Sequence, residues 1–344
     1  MVGKKRRSAP GRFFYALRYR IGEHLLRGFV KVLPRIPRWV ALAFMRFMAR
    51  VSFAILLVFR RRMEENIAAA LGQEFPDPAE RKELVWRAWL NFARVMLDTA
   101  EATHFSPARI LAAVALEGEE HIKSALEKGR GVIALSAHLG GFTMIGPRLA
   151  AGGFPLSVVV KQPADKRFAG LIDGYRARSG VHTISAKPRR EAVRGILKAL
   201  RQNRIVLVIA DEFKSGDVMV DFLGLKVPAP RGPATLALRT GAVTLPMFAI
   251  RRPDGSLALS VDAPIASVER ADLEESVVAT TALYTRQLEA VIRKYPDQWN
   301  WLGLPRRGGR PSRADIARMR GALRAKAKGA SRRDQIGSDT SSSL

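Results

Sequence analysis

The sequence contains no cysteine, which excludes disulfide bonds, a thiol nucleophile and a cysteine-ligated metal. It also contains no P-loop, no GxGxxG fingerprint and no metal-ligand spacing, and its five histidines are widely scattered. We therefore expect neither a metal nor a cofactor. Hydrophobic residues make up 47% of the 344 residues, which excludes a disordered protein and allows a sizeable core.

Acidic residues are scarce, and the excess of positive charge lies at the two ends of the chain. The formal net charge is +27. Residues 1–62 hold 16 Lys or Arg and a single acid, Glu23, and residues 306–344 hold 11 Lys or Arg and three acids. The ends thus carry +15 and +8, and the residues between them only +4. Such ends suit anionic lipid or nucleic acid about equally by charge alone.

One long apolar run favours a lipid partner over nucleic acid. Arg38–Arg62 has the sequence RWVALAFMRFMARVSFAILLVFRRR, in which 21 mostly apolar residues lie between basic flanks. About 20 residues can cross a bilayer, but each Arg inside it costs about 2.5–3.5 kcal/mol. We expect a helix that lies in the membrane or enters it obliquely, with Arg46 and Arg50 on one face; a buried helical hairpin is the alternative. Without a recognition motif, no specific nucleic-acid binding is expected.

The pattern divides the chain into four segments. Residues 1–62 form a basic, apolar, membrane-associated helical region, residues 63–115 a helical lead-in, and residues 306–344 a basic, disordered tail. Residues 116–305 alternate short apolar strands with amphipathic helices, which predicts an α/β fold with a mainly parallel sheet flanked by helices. One helix of this domain begins at Gly232, after an apolar Gly/Pro-rich loop.

Two predicted strands end in chemically useful residues. VIALSA leads to His138 and then to Gly140-Gly141, and RIVLVIA leads to Asp211-Glu212. In an open α/β sheet, ligands bind at the carboxyl ends of the strands. If the two strands are parallel, a carboxylate can orient the imidazole and stabilise its protonated form. A structural histidine followed by a solvated acidic turn is the alternative.

Three further features are candidates for substrate binding. Arg176 and Arg178 in GYRARSG could clamp a phosphate, or could form a solvated helix end. Arg231 and Gly232 begin a helix whose free amides suit an anionic group, although an ordinary loop has the same appearance. Trp299 and Trp301 beside arginines suit a membrane interface and equally a core.

The order of the motifs resembles that of one enzyme family. In chain order the motifs are RRRMEENIAAAL, FPDPAER, WRAWLNFARVMLD, EGEEHIKSALEKGRGVIALSAHLGGF, YRARSG, IADEF, DFLGLKVPAPRGPATLALRTGA and PDQWNWL. Over roughly residues 60–307, this order resembles the bacterial lipid A (late) acyltransferases of the glycerophospholipid acyltransferase superfamily. The resemblance implies a membrane-bound enzyme that moves a fatty acyl group from acyl carrier protein or coenzyme A to a lipid hydroxyl.

The family's motif is a histidine, the general base, followed five positions later by a carboxylate that positions it. His138 matches the histidine, but Thr143 stands at the acid position. A threonine cannot stabilise an imidazolium by charge. Because the role depends on position around the ring and not on sequence, we expect Asp211 or Glu212 to supply the charge, with Thr143 left to substrate binding.

The sequence therefore predicts a membrane-associated acyltransferase at the cytosolic face of the bacterial inner membrane. It would carry an acyl group from an acyl carrier protein or coenzyme A thioester to a hydroxyl or amine of an envelope lipid, with His138 as the base. Arg176 or Arg178, with Arg231, would hold phosphates, and the apolar loop over residues 222–230 would line the acyl channel. The basic ends would hold the protein on anionic lipid. The alternative is a catalytically impaired family member that acts as a lipid-binding or regulatory protein.

Overall fold

The computed structural model describes residues 9–214 and 216–305, with side chains from Tyr19 onward. The predicted basic tail at residues 306–344 lies outside the described residues. Helices occupy most of the first 113 residues and then alternate with strands. The helices are α1 (Ala9–Val32), α2 (Arg38–Ile55), α3 (Leu57–Leu71), α4 (Pro78–Ala102), α5 (Pro107–Ala113), α6 (Glu119–Glu127), α7 (Ile145–Ala151), α8 (Lys166–Arg178), α9 (Arg189–Arg201), α10 (Gly232–Thr240) and α11 (Leu273–Lys294).

Seven of the nine strands among the described residues form one central sheet, and β6 and β7 pair separately. The strands are β1 (Val114–Glu117), β2 (Val132–Ser136), β3 (Leu156–Val160), β4 (His182–Ser185), β5 (Ile205–Ile209), β6 (Val218–Phe222), β7 (Leu225–Ala229), β8 (Val243–Arg251) and β9 (Leu257–Val261). The sheet order is β1-β9-β8-β2-β5-β3-β4, and β8, β2, β5, β3 and β4 run parallel. The predicted α/β fold with a mainly parallel sheet is confirmed.

The centre of the sheet is apolar on both faces because helices cover both sides. Every residue of β2 is buried, and two separate clusters of apolar side chains fill the space above and below it. Ile133 and Leu135 belong to one cluster, while Val132 and Ala134 belong to the other. This alternation follows from the period of two along a strand. It accounts for the continuous apolar run from which the strand was predicted.

Several helices begin where the sequence supplies a side-chain cap. Asp77 precedes Pro78 at the start of α4 and accepts a hydrogen bond from the amide of Ala79. Asp272 caps α11 in the same way by accepting from the amide of Glu275. Helix α11 and strand β1 are not predicted by the patterns described above.

The predicted apolar loop after β5 is an antiparallel hairpin instead. Strands β6 and β7 pair with each other, with Phe222 opposite Leu225 across the turn. The turn places Leu223 and Gly224 at positive φ, which matches the right-handed twist of a two-residue hairpin. Pro228 and Pro230 are typical of a loop, which is why a loop was expected here. A proline is nevertheless tolerated within β7 at position 228, because the hairpin is a two-stranded sheet with free edges.

The apolar run at Arg38–Arg62 is not one helix, so that part of the prediction is wrong. Helix α2 ends at Ile55, the chain turns at Leu56, and α3 continues at an angle of 86° to α2. Met63, Ile67 and Leu71 recur every four residues and anchor α3 in the core. Within the described residues, no single helix has both the length and the apolarity to cross a membrane. Helices α2 and α3 reach that length and apolarity only when the bent pair is taken together.

The central strand generates a stability prediction. Leu135 is fully buried in β2, and we expect Leu135→Ala to lower the free energy of unfolding by about 2–5 kcal/mol, because it removes apolar contacts and leaves a cavity. Denaturant unfolding followed by circular dichroism measures the change. Met219→Ala is the control because this side chain is exposed on the hairpin, and it should change stability by less than about 0.5 kcal/mol. Equal losses in both variants would contradict the assignment of the core.

Candidate active site

His138 lies just beyond the carboxyl end of the central strand β2, where the chain must turn sharply. Gly140 follows with φ of 57°, and its amide donates to the carbonyl of Gln298 at 3.0 Å. The amide of Gly141 donates to the carbonyl of Ala249 at 2.7 Å. A side chain at Gly140 would collide with that same carbonyl oxygen, so only glycine fits. The two glycines thus fix the turn that presents the histidine.

Strand β5 brings the acidic pair to the same place. It lies parallel to β2 with Ser136 opposite Ile209, and the amide of Ala210 donates to the carbonyl of Ser136. The second residue after this pair on each strand, His138 or Asp211, therefore reaches the same edge of the sheet. Oδ1 of Asp211 lies 2.8 Å from Nδ1 of His138, across 73 positions of sequence. The structure thus brings His138 and Asp211 together.

The carboxylate of Asp211 is held by more than the imidazole. Its Oδ2 accepts from the backbone amide of His138 at 2.8 Å and from Nε1 of Trp299 at 2.7 Å. Asp211 is only 1% exposed, so each of its hydrogen bonds is made in a dry environment. A carboxylate that accepts several hydrogen bonds keeps its charge even when buried. This explains how an ionised acid is maintained inside the fold.

Trp299 is a site residue whose contact with Asp211 is not predicted from the sequence. Trp299 and Trp301 are 1% and 0% exposed and pack edge to face, so both are core aromatics and neither lies at a surface. Trp299 pairs with Leu139 across an isolated bridge, and the amide of Asn300 donates to the carbonyl of His138 at 3.1 Å. The available signal was PDQWNWL itself, which places a buried indole donor next to a polar backbone turn.

The pair is electrostatically coupled. Burial alone would lower the pKa of His138, but the hydrogen bond and charge of Asp211, with a smaller effect of the Glu212 charge, outweigh it and raise the pKa. Burial would raise the pKa of Asp211, yet the hydrogen bonds and charge of His138 and the indole of Trp299 hold that pKa below its ordinary value. Both shifts favour an ion pair when the imidazole is protonated.

This geometry defines what the histidine can do. An ionised carboxylate only accepts hydrogen bonds. Nδ1 therefore carries a hydrogen and donates a hydrogen bond to Asp211. In the neutral ring, Nε2 then holds the free lone pair. The His138 side chain is 36% exposed, so solvent and ligands can reach it, and the edge of the Phe142 ring packs against it with centroids 5.0 Å apart. A base held in one tautomer by a buried carboxylate is an arrangement suited to proton transfer.

Glu212 and Thr143 have other surroundings. Glu212 is exposed and acts on His138 only through its charge. Thr143 lies in a short 3₁₀ helix (Phe142–Met144), where its hydroxyl accepts a hydrogen bond from the hydroxyl of Thr99 on α4 at 2.8 Å. Of the two acids that the sequence proposed as the partner of the histidine, Asp211 is the one in contact.

Arg176 and Arg178 make local contacts at the end of α8. Arg176 donates to Oδ1 of Asp173 at 3.0 Å, and the guanidinium of Arg178 lies over the ring of Tyr175. The other oxygen of Asp173 accepts from Gln162, which follows β3 at the same edge of the sheet as His138. The structure shows neither arginine in contact with the histidine.

Arg231 and Gly232 lie at the start of α10, which follows the β6–β7 hairpin. The guanidinium of Arg231 forms two hydrogen bonds with the carboxylate of Glu274, at 2.9 and 2.6 Å. Helix α10 leads into β8 at the amino edge of the sheet, so its own amino terminus at Gly232 faces the carboxyl edge. That end of the helix lies on the same side of the sheet as His138.

Comparison with known proteins identifies relatives over most of this chain. The sequence profile of the family described as bacterial lipid A biosynthesis acyltransferase matches residues 12–305. A phosphatidylinositol mannoside acyltransferase of Mycolicibacterium smegmatis is 23% identical over 244 residues, which cover 70% of this chain and 77% of the relative. A lipid A biosynthesis lauroyltransferase of Escherichia coli is 25% identical over 257 residues, which cover 72% and 80%.

The contact between Asp211 and His138 predicts how the imidazole titrates. In Asp211→Asn the charge is lost while the shape is kept, so burial becomes the dominant influence on the pKa of His138. We expect the pKa of His138 to fall below that of the wild type, measured by NMR titration of the histidine ring protons and assigned with His138→Ala.

Glu212→Gln is the matched control. It removes an equal charge from an exposed neighbour that makes no contact with the ring, so the pKa of His138 should fall only slightly. If Glu212→Gln produced the larger fall, the exposed acid would be the electrostatic partner and the assignment of Asp211 would be wrong.

Proposed function

Because this chain belongs to the bacterial lipid A biosynthesis acyltransferase family, we propose that it transfers a fatty acyl group from an acyl thioester to a hydroxyl or amine of an envelope lipid, with His138 as the general base. The family and the relatives make the chain a lipid acyltransferase of envelope lipid biosynthesis. The donor, the base and the acceptor group belong to the proposal. The observation that carries it is the 2.8 Å contact between His138 Nδ1 and Asp211.

The reaction follows from the tautomer that Asp211 imposes. Nε2 of the neutral His138 ring removes the proton from the acceptor hydroxyl or amine as this group attacks the thioester carbonyl. The tetrahedral intermediate then collapses, the carbon–sulfur bond breaks, and the imidazolium returns its proton to the leaving thiolate. Asp211 stabilises the imidazolium between these steps by charge and hydrogen bond. The only catalytic groups that this sequence of steps needs are the two side chains.

In this proposal Asp211 takes the role that the family motif gives to a carboxylate at the position of Thr143. A carboxylate placed across β5 acts on the same ring nitrogen, because position around the imidazole and not distance in sequence sets the interaction. Thr143 is then free to contact substrate. Arg176, Arg178 and Arg231 are proposed to hold phosphates of donor or acceptor, with the amides at Gly232 as a further anion site.

We further propose that the protein acts on the cytosolic face of the bacterial inner membrane. Large apolar side chains of α2 and the start of α3 are exposed, among them Trp39 at 72%, Ile55 at 69% and Val58 at 70%. Contiguous apolar surface next to arginines is typical of a membrane-binding face. The basic ends suit anionic lipid, and they also suit an acidic acyl carrier protein as the donor.

Acyl transfer by the detergent-purified full chain tests this proposal. Labelled acyl thioesters of acyl carrier protein and of coenzyme A are offered with total bacterial lipid extract. We expect labelled lipid from the wild type and a loss of about 10²–10⁴-fold in His138→Ala, because general base catalysis contributes about that much. Mass spectrometry of the labelled product identifies the acceptor.

His104→Ala is the control for this experiment because His104 is exposed in the turn that follows α4 and makes no contact with His138 or Asp211. It should retain the wild-type rate. Equal rates in all three proteins would exclude His138 as the base. No transfer by the wild type, with lipid binding intact, would favour the alternative of a lipid-binding or regulatory protein, for which Thr143 at the acid position is the supporting observation.

A further inference from the structure

A cationic cavity lies between α2, α4 and the end of β8, apart from the histidine. It has a volume of about 560 Å³, and His138 is not among its lining residues. Six of its lining side chains are cations and one is an acid, Asp297. The cations are Arg46, Arg87, Arg94, Arg251, Arg252 and Lys294. We call it the α2–α4 cavity.

The positive charge of this cavity is only partly neutralised. Arg94 and Arg251 share a single carboxylate, that of Asp98, and all three side chains are at most 15% exposed. Arg87 pairs with Asp297 at 2.8 Å. Among the described residues, Arg46 forms neither a hydrogen bond nor a salt bridge, although it lines the cavity. Arg252 pairs with Glu117, so three carboxylates in all stand against six cations. This excess of cations leaves a net positive charge, which is how anion-binding sites are built.

Two buried polar atoms at the cavity lack hydrogen-bond partners. Nε of Arg251 is an unpaired donor, and Oδ1 of Asn91 is an unpaired acceptor. An unpaired buried polar atom costs about 1–3 kcal/mol, so such atoms call for a ligand or water. Both atoms belong to residues that line the cavity, so its polar lining is not fully satisfied within the described protein.

The cavity shares a wall with the active-site turn. Nδ2 of Asn91 donates to the carbonyls of Gln298 and Gly140, and Gln298 in turn accepts the amide of Gly140. The side chain of Gln298 also pairs with both backbone groups of Arg251. A group bound in the cavity would thus lie against the residues that set the position of His138.

The same cavity borders the exposed apolar face of α2. Arg46 lines the cavity, whereas its neighbours Phe44 and Phe47 are 54% and 57% exposed on that helix. A lipid has the matching arrangement, with an anionic headgroup next to apolar chains. A soluble anion would use only the cations, so the adjacent apolar face favours a lipid as the ligand.

We propose that the α2–α4 cavity binds the phosphate of a lipid headgroup and that Arg46 forms an ion pair with this phosphate. The inference rests on the proposed function in one respect, because the bound lipid is taken to be the acyl acceptor. Phosphate on the acyl donor is the competing source of the same chemistry.

Calorimetric titration of the detergent-purified full chain tests this site without requiring turnover. The probes are dihexanoyl phosphatidic acid, the phosphate-free dihexanoylglycerol and coenzyme A. We expect the wild type to bind the phosphatidic acid at least about ten-fold more tightly than dihexanoylglycerol, and Arg46→Gln to weaken only the phosphatidic acid, by about ten-fold. Arg61→Gln removes the same charge from an exposed position on α3 that does not line the cavity, and it should bind as the wild type does.

Two results would overturn the proposal. If Arg46→Gln and Arg61→Gln weakened phosphatidic acid binding equally, the effect would be general charge attraction. If Arg46→Gln weakened coenzyme A and left phosphatidic acid unchanged, the cavity would serve the donor. His138→Ala should bind phosphatidic acid normally. A chain that shows this binding pattern but no acyl transfer would therefore refute the proposed function and leave the lipid site standing.

Discussion

The carboxylate of Asp211 joins three distant parts of the chain through hydrogen bonds that a buried charge requires. It accepts hydrogen bonds from the ring and the amide of His138 at the end of β2, and from the indole of Trp299 in the turn after α11. Because Asp211 is almost wholly buried, removal of any one donor would leave charge unsatisfied in a dry site. The sheet, the glycine turn and the C-terminal part of the described residues are therefore held in register around one acid. The position of the histidine is a consequence of that arrangement.

A second constraint lies beneath the turn that carries His138. Asn91 on α4 and Gln298 after α11 bind the backbone of Gly140 and Arg251, and so link helix, turn and strand into one wall. On the far side of that wall lie the arginines of the α2–α4 cavity. A fold that used these polar side chains only for stability could have satisfied them internally. One polar atom of Asn91 and one of Arg251 have no hydrogen-bond partner instead, and both residues line the α2–α4 cavity, where we propose a second binding site.

Short, nearly continuous apolar runs predicted the central sheet because a strand covered on both faces is apolar along most of its length, as β2, β5 and β8 are. The same reasoning failed for β6 and β7. Prolines and glycine in that segment indicate a loop, and only the pairing of two short strands with each other makes a hairpin of them. The long apolar run was predicted as one helix because local composition carries no information about the anchoring of Met63 and Ile67, which turns the chain at Leu56.

The sequence by itself determined the fold class, the family resemblance and the two strand ends that could hold chemistry, since these depend on residue type and on periodicity along the chain. It left Asp211 and Glu212 as equal candidates because the two are adjacent and chemically alike. Tertiary structure chose between them, since the register of β2 against β5 turns one side chain inward to the imidazole and the next one outward to solvent. It also decided the place of Trp299, whose indole can reach a carboxylate 88 positions away only when α11 returns the chain to the edge of the sheet.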